Sequence, residues 1–294
     1  ICLIGYGIPC LLLANILSNK NINISIFKEN HYKNKFNIRT IGITKNNVDF
    51  LRNEKILIEK LAWSIKNIKI FNDLKNSNEI LNFGLTNNKL FSIIKNFQLI
   101  NQLKKNIKNN RLVKVIKKNK VGFYNSIISN KNQFDLIINF NENNKISKKF
   151  FFKRQYKDYN SLAYTALIKH QTCDNRTAYQ VFTKFGPIAF LPCSNKETSI
   201  VFSIYKSFKN LSNTEILNLV KKYNKKFSII SFSKFEKVNL KGSLLKNYYY
   251  KNILSFGDSL HKIHPLAGQG LNMTIRDIKI LSSLIDKKID LGLP

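Results

Sequence analysis

The stretch ILSFGDSLHKIHPLAGQGLNMTIRDIKIL, residues 253–281, constrains the fold of this chain more than any other. Ile253, Leu254, Ser255 and Phe256 read as a short buried strand, which Gly257 and Asp258 end. A loop carrying His261, His264 and Pro265 follows, then Gly268 and Gly270. Leu271, Ile275, Ile278, Leu281 and Ile285 recur at helical spacing, so a helix begins there. In that order the elements bring free backbone N–H groups and the positive end of a helix dipole to one point, which makes an anion site. The loop between them is long, so the expected ligand is large and flat rather than a bare phosphate.

The start of the chain has a related logic. Residues 1–4 are continuously apolar, as a central parallel strand should be. GYGIPC follows, then an apolar helix with Leu11, Leu12, Leu13, Ala14, Ile16 and Leu17. Ile22, Ile24 and Ile26 alternate as a second strand. This is a β-α-β unit, with Gly5-x-Gly7 where a dinucleotide pyrophosphate would meet the helix. Cys10 stands in place of a third Gly. The acidic residue that binds the adenosine ribose in such units falls on Lys28, with Glu29 next, and Glu29 is the expected substitute.

Composition narrows the function classes. Hydrophobic residues make up 44% of 294, enough to build a large core in a chain of two ordinary domains. The net charge of +32 raises nucleic acid or an anionic membrane as partners. Against nucleic acid, only Arg39, Arg52, Arg111, Arg154, Arg176 and Arg276 are arginines among 49 basic residues. Nucleic-acid sites favour the bidentate Arg fork, and Lys scattered among Asn, Ile and Phe reads as a solvated surface. Cys2, Cys10, Cys173 and Cys193 have neither metal-ligand nor C-x-x-C spacing and indicate a reducing compartment. Residues 1–17 are too short and too broken by Gly and Pro for a membrane span or a signal peptide. No initiating Met precedes the first strand, so the chain reads as a piece of a longer protein, lacking a few N-terminal residues and a longer C-terminal part.

GDSLHKIHPLAGQGLNMTIRD closely resembles the second flavin motif of the class A FAD-dependent aromatic monooxygenases, the para-hydroxybenzoate hydroxylase type. Within that group it is most similar to the ubiquinone-biosynthesis hydroxylases. The resemblance implies that Asp258, following Gly257, holds the ribityl chain of FAD, that Pro265 lies against the isoalloxazine ring, and that the Gly268 and Gly270 amides meet its pyrimidine edge. Gln269, Leu271 and Asn272 lie beside them. FNIRT resembles the family's D-x-R-T segment, which puts Arg39 over the FAD phosphates or near the flavin, with Asn37 in the Asp position. FDLIINFNENN matches the position of a third motif linked to pyridine-nucleotide use. Asp135 is present there, but Asn141 and Glu142 replace its Asp-Gly pair. GPIAFLP, within strand-like segments over 161–205, resembles the substrate sheet near the ring to be hydroxylated. LAWSIKNIKIFND reads as one strand of that sheet, and TEILNLVKKYNKKF as one helix. FQLINQLKKNIKNN, with Leu99, Leu103 and Ile107 on one face, returns to the flavin domain, and Tyr248–Tyr250 reads as a strand pairing edge.

The implied fold is α/β: a Rossmann-like FAD-binding domain with a βαβ unit (residues 1–60, 96–145 and 251–294) and an antiparallel β-sheet substrate domain (61–95 and 146–250). The implied function is an FAD-dependent monooxygenase that uses NAD(P)H and O₂ to hydroxylate the aromatic ring of a polyprenylated phenol in ubiquinone biosynthesis. Such a protein would be cytoplasmic and loosely attached to the inner membrane, with membership of a biosynthetic complex open. The cofactor carries the hard chemistry, so no catalytic triad is required. His261 and His264 are the titratable groups near the flavin. Two other readings stand beside this one: hydroxylation of a small soluble phenol, and a degenerate flavin-fold partner without activity, suggested by Cys10, Lys28, Asn141 and Glu142.

Overall fold

A computed structural model describes residues 1–28, 39–56, 58–73, 78–84, 90–117, 120–129, 134–263 and 268–292. In chain order, β1 (Cys2–Ile4), α1 (Ile8–Asn19) and β2 (Ile24–Phe27) come first. Then follow β3 (Thr40–Thr44), α2 (Lys45–Asn53), β4 (Trp63–Ile65), β5 (Asn67–Asn72), β6 (Asn78–Phe83) and β7 (Phe91–Lys95). The middle holds α3 (Asn96–Lys108), β8 (Val113–Ile116), α4 (Lys120–Ile128), β9 (Ile137–Asn139) and α5 (Lys145–Phe150). Next are β10 (Arg154–His170), β11 (Thr177–Thr183), β12 (Gly186–Pro192), β13 (Glu197–Tyr205), α6 (Asn213–Tyr223), β14 (Ile229–Phe232) and β15 (Glu236–Leu245). The chain closes with β16 (Tyr249–Tyr250), β17 (Ile253–Ser255), β18 (His261–Lys262) and α7 (Gln269–Asp290).

Three sheets result. The first runs β16-β17-β9-β1-β2-β8 and is parallel except for β16 at its edge. β1 lies at its centre with Cys2, Leu3 and Ile4 all fully buried, which explains its unbroken apolar run. α1 is apolar all round because it is enclosed by its surroundings, with α3 and α7 packed against it. Its one buried amide, Asn15, donates to the Leu11 and Leu103 carbonyls and so ties α1 to α3. This is the β-α-β unit expected from residues 1–26.

The second sheet has nine strands, ordered β18-β15-β10-β13-β12-β11-β5-β6, with β14 also paired to β10. Its strands are antiparallel apart from the β11–β5 pair. One face carries a core built on Phe190, Phe202, Ile188, Ile200 and Ile204, covered by Ile216 and Val220 of α6. The strands expected over 161–205 are all present. Between the two large sheets lies a small one, β3-β7-β4.

Two segments depart from expectation. LAWSIKNIKIFND is two strands: β4 joins the small sheet and β5 the large one, with Lys66 and Asn67 turning on the Arg176 carbonyl. The α6 helix ends at Tyr223 because the Asn224 side chain accepts from the amides of Lys226 and Phe227, turning the chain away. Its start matches a sequence pattern, since Ser212 and Glu215 form a reciprocal capping box.

The two-domain division is our proposal for this architecture. Strands β1, β2, β8, β9 and β17 of the parallel sheet come from the flavin-side segments, while β5, β6 and β10–β15 come from the other side. Only β16 and β18 cross that division among the strands of the two large sheets.

The large-sheet core should contribute strongly to stability. Phe190→Ala is expected to cost about 3–5 kcal/mol in urea denaturation. Tyr156→Ala, at a ring 76% exposed, should change it by less than about 0.5 kcal/mol.

Candidate functional site

The glycine loop at the head of α1 is shaped for close approach. Gly5 has φ +147°, and a Cβ there would lie 3.0 Å from that of Phe140. Gly7 is the N-cap of α1, with Pro9 in the first turn, so the helix presents unpaired N–H groups at this point. Cys10 fits where a third glycine was expected. Its side chain is fully buried, its thiol donates to the Gly5 carbonyl at 3.4 Å, and burial pushes its ionisation far upward, so it remains a neutral donor. At the end of β2, the Lys28 ammonium lies 4.8 Å from the Tyr6 ring centroid, and Lys104 covers the same ring at 5.3 Å. Burial, and then the neighbouring Lys28, holds Lys104 below the usual lysine range. The position expected to carry a ribose-binding acid is therefore a cationic corner. Glu29, the expected substitute, lies outside the described residues, as do Asn37, His264 and Pro265.

A second glycine turn sits beside the first. Gly257, with φ +63°, opens a 3-10 turn over Gly257–Ser259, and a Cβ there would lie 3.6 Å from both Pro9 and Phe140. Phe140 thus joins the two loops from below. Asp258 follows Gly257 and is solvent-accessible, yet loss of water raises its carboxyl above the usual aspartate range. Glu142 raises it further, while Lys262 and His261 pull it down.

The third component is the head of α7. Gly268 is its N-cap in the left-handed region, φ +67°, and a Cβ there would lie 3.0 Å from the Gly42 carbonyl oxygen on β3. Gln269, Gly270 and Leu271 then expose first-turn N–H groups, and a Cβ on Gly270 would meet nothing within 4 Å. Asn272 locks the arrangement. Its amide donates to Gly42 O (2.7 Å) and Gly268 O (3.0 Å), and its oxygen accepts from Thr44 N (3.0 Å) and Asn47 Nδ2 (2.8 Å). With both donors and both lone pairs used, we read Asn272 as holding the loop rather than as touching a ligand directly.

Arg39 precedes β3. Its guanidinium pairs with Glu236 of β15 at 3.5 Å, facing the nine-stranded sheet. Burial lowers the Arg39 value and raises that of Glu236, and each partner opposes the other's shift. Arg39 thus has a carboxylate partner on a distant strand, which no spacing in the sequence records.

The position of the third motif is an asparagine turn. Fully buried Asn139 bonds through its side chain to Asn141, Asn144 and Ser147, and Asn144 caps α5 by accepting from Ser147 N at 2.9 Å. Local order survives without the Asp-Gly pair. Glu142 lies 3.8 Å from Lys262, beside the Asp258 turn.

Two further residues matter here. His261 is buried, and its Nε2 lies 2.6 Å from Asp277 Oδ2 on α7. Arg154 of β10 donates to the Ser259 carbonyl at 2.6 Å. Sequence reasoning named His261 as a titratable group but gave no role to Arg154 or to Asp277, although Asp277 is the last residue of the quoted motif, about two helical turns past Gly270.

Residues 177–289 match the family model for an FAD binding domain. The ubiquinone biosynthesis monooxygenase COQ6 of Dictyostelium discoideum is 27% identical over 152 residues, covering 40% of this chain and 31% of that protein. The ubiquinone hydroxylase UbiM of Neisseria meningitidis is 28% identical over 134 residues, covering 44% of this chain and 29% of that protein. The matches therefore span about a third of those relatives. The crystal structure of p-nitrophenol 4-monooxygenase from Pseudomonas putida superposes with TM-score 0.77 at 11% identity, over 100% of this chain and 80% of that one. The fold is that of the para-hydroxybenzoate hydroxylase-like flavoproteins. The chain thus shares the fold of FAD-dependent monooxygenases of known structure, and ubiquinone hydroxylases are among its sequence relatives.

The site yields a stability prediction at Gly268. Gly268→Ala places a Cβ against Gly42 in a left-handed conformation, which should cost about 1–3 kcal/mol in chemical denaturation. The paired substitution Gly270→Ala, where nothing is met, should cost less than half as much.

Proposed function

We propose that the three glycine turns and the α7 N-terminus form an FAD site, and that the chain carries the flavin and substrate sheets of an NAD(P)H- and O₂-dependent hydroxylase. Its substrate is the aromatic ring of a polyprenylated phenol on the route to ubiquinone. The observation that carries this reading is the Gly268–Gly42 contact: a helix N-terminus pinned open beside an accessible aspartate, in the order the flavin motif requires. The cofactor, when bound, supplies the redox and oxygen-transfer chemistry.

The protein's own residues then have distinct tasks. The amides of Gln269, Gly270 and Leu271 and the positive end of α7 would favour negative charge on the facing ring edge. Asp258 would accept hydrogen bonds from the hydroxyls of the sugar-alcohol chain. The Gly5–Gly7 loop and α1 would meet the pyrophosphate, with Lys28 and Lys104 adding positive charge where a ribose-binding acid was expected. Pro265 and His264 complete the site in this reading by their place in the motif. Arg39 and Glu236 lie between β3 and the large sheet, on the side where a ring substituent would arrive.

Two relatives named as ubiquinone hydroxylases support the substrate class. Among the described residues no helix is long and apolar enough to cross a membrane. We infer that any contact with the membrane, where such a substrate dissolves, is peripheral. One observation favours the non-catalytic alternative: the asparagine turn with Glu142 at the position linked to pyridine-nucleotide use.

Purified protein should be yellow, and NAD(P)H should bleach it under anaerobic conditions. Retention of colour with NADPH and NADH alike would leave the non-catalytic reading standing. Asp258→Ala should weaken FAD binding by at least about tenfold, the loss expected for hydrogen bonds to a charged group. Quinone intermediates extracted from a deletion strain would identify the ring position.

A further inference from the structure

The corner where the parallel sheet meets the paired strands β10 and β15 carries side chains that the flavin reading does not use. Tyr248, Tyr249 and Tyr250 lie at β16, the outermost strand of the parallel sheet. They are 50%, 68% and 43% exposed, and Phe152, two residues before β10, is 61% exposed. The two segments meet directly. Lys246 N donates to the Lys153 carbonyl at 2.9 Å, and the Tyr250 ring stacks on Phe150 of α5 at 4.2 Å. Phe151, Leu245 and Ile253 fill the core beneath, so these aromatics stand outside it.

Positive charge surrounds the rings. Lys149 stands over the Phe150 ring at 5.5 Å and Lys251 over the Tyr250 ring at 5.9 Å. Lys153 and Lys246 are exposed beside them. Neither residues 143–157 nor residues 241–257 contain an acidic residue. Lysines cover much of this protein, and the exposed rings among them are what set this corner apart. Each class of partner asks for a different mixture. Protein interfaces are depleted in Lys. Nucleic-acid sites favour the Arg fork. An anionic bilayer favours Tyr at the level of its headgroups, where the apolar ring and the polar tip each find their medium, with Lys ammonium groups among the phosphates. This corner has the third composition.

We propose that it docks on an anionic phospholipid surface, with Tyr248, Tyr249 and Phe152 entering the headgroup layer and Lys149, Lys153, Lys246 and Lys251 meeting the phosphates. The surface adjoins the candidate site. Arg154, next to Lys153, donates to the Ser259 carbonyl in the Asp258 turn, and Leu245 N, next to Lys246, donates to the Leu260 carbonyl at 3.0 Å. Docking here holds that turn near the layer in which a polyprenylated phenol dissolves. This use of the surface rests on the proposed substrate, whereas the lipid contact itself requires neither substrate nor flavin.

Flotation of the purified protein, with and without added FAD, on phosphatidylcholine–phosphatidylglycerol vesicles (about 2:1) at about 0.1 M salt tests it. The wild type should float with these vesicles and not with pure phosphatidylcholine. Lys246→Gln with Lys251→Gln should cut the partition coefficient at least about tenfold, since a lysine near such a surface contributes about fivefold. Tyr248→Ser with Tyr249→Ser should cut it about fivefold or more, and should still do so at higher salt, where the lysine pair loses its effect. Lys221→Gln with Lys222→Gln on α6 removes equal charge from the other large core's cover and should change binding by less than about twofold. All three pairs change exposed residues and should melt as the wild type does, so a loss of binding is not a loss of fold. An α6 pair as costly as the corner lysines, or a tyrosine pair without effect, would reduce the binding to diffuse charge and overturn the proposal. So would a protein that ignores the vesicles but binds duplex DNA or single-stranded RNA through the same corner. Vesicle binding by a protein that takes up no FAD would leave the surface standing and remove the flavin reading; a yellow protein that ignores anionic vesicles would do the reverse.

Discussion

The arrangement depends on a close contact made in a left-handed conformation: Gly268, with φ +67°, set against the backbone of Gly42 so that a Cβ would come within 3.0 Å of its carbonyl oxygen. It lets the N-terminus of a 22-residue helix come up against β3. A helix of that length concentrates partial positive charge at its first turn only if the turn is left open. Here the opening is maintained from behind. Asn272 takes up Gly42, Gly268, Thr44 and Asn47, so the groups that could have closed the turn are satisfied elsewhere. The polar network and the close glycine pair are thus one device, which keeps the front of α7 free by filling its back.

Much of this was legible in residue order, and the part that was not has a physical reason. The β1–α1–β2 unit and the strand–turn–helix at 253–281 are local patterns, in which hydrophobic period and glycine position carry the message. Ser212 with Glu215 is local too. The pairings that hold these glycine turns and β3 in place are not local. Arg39 meets Glu236, and Asn272 meets Thr44, through sheets and helices that assemble from distant segments. No period or spacing records them. The split of residues 63–72 into β4 and β5 failed for the same reason: apolar alternation is identical whether a strand continues or crosses from one sheet to the next, and the Arg176 carbonyl decides it.

The departures from the flavin pattern were the most ambiguous sequence features, and they divide by chemistry. Cys10 is absorbed: a small, neutral thiol fills the place of a hydrogen and finds an acceptor in Gly5. Asn141 is also absorbed, since the turn around it closes on amide and hydroxyl bonds. Lys28 and Glu142 differ, because each changes the sign or presence of a charge, Lys28 beside Tyr6 and Glu142 beside the Asp258 turn. Lys28 replaces an expected negative charge with a positive one, shared with Lys104 over Tyr6. Glu142 adds a negative charge near Asp258, offset by Lys262. Packing accommodates Cys10 and Asn141 without a change of charge, whereas Lys28 and Glu142 alter the local electrostatics.

That electrostatic edge is also a mechanical seam. The Asp258 turn hangs from the end of β17 in the parallel sheet, yet β10 holds it through Arg154 and Ser259, and β15 holds the following residues through β18. α7 grips the same segment through Asp277 and His261. A short turn held by two large sheets and a helix cannot shift with one of them and keep its bonds to the others. Any ligand that takes hydrogen bonds from it is therefore placed relative to both sheets at once. On the proposed reading, with a ring at this turn and a substrate on the nine-stranded sheet, such triangulation would set the distance between reacting partners without a residue that touches both.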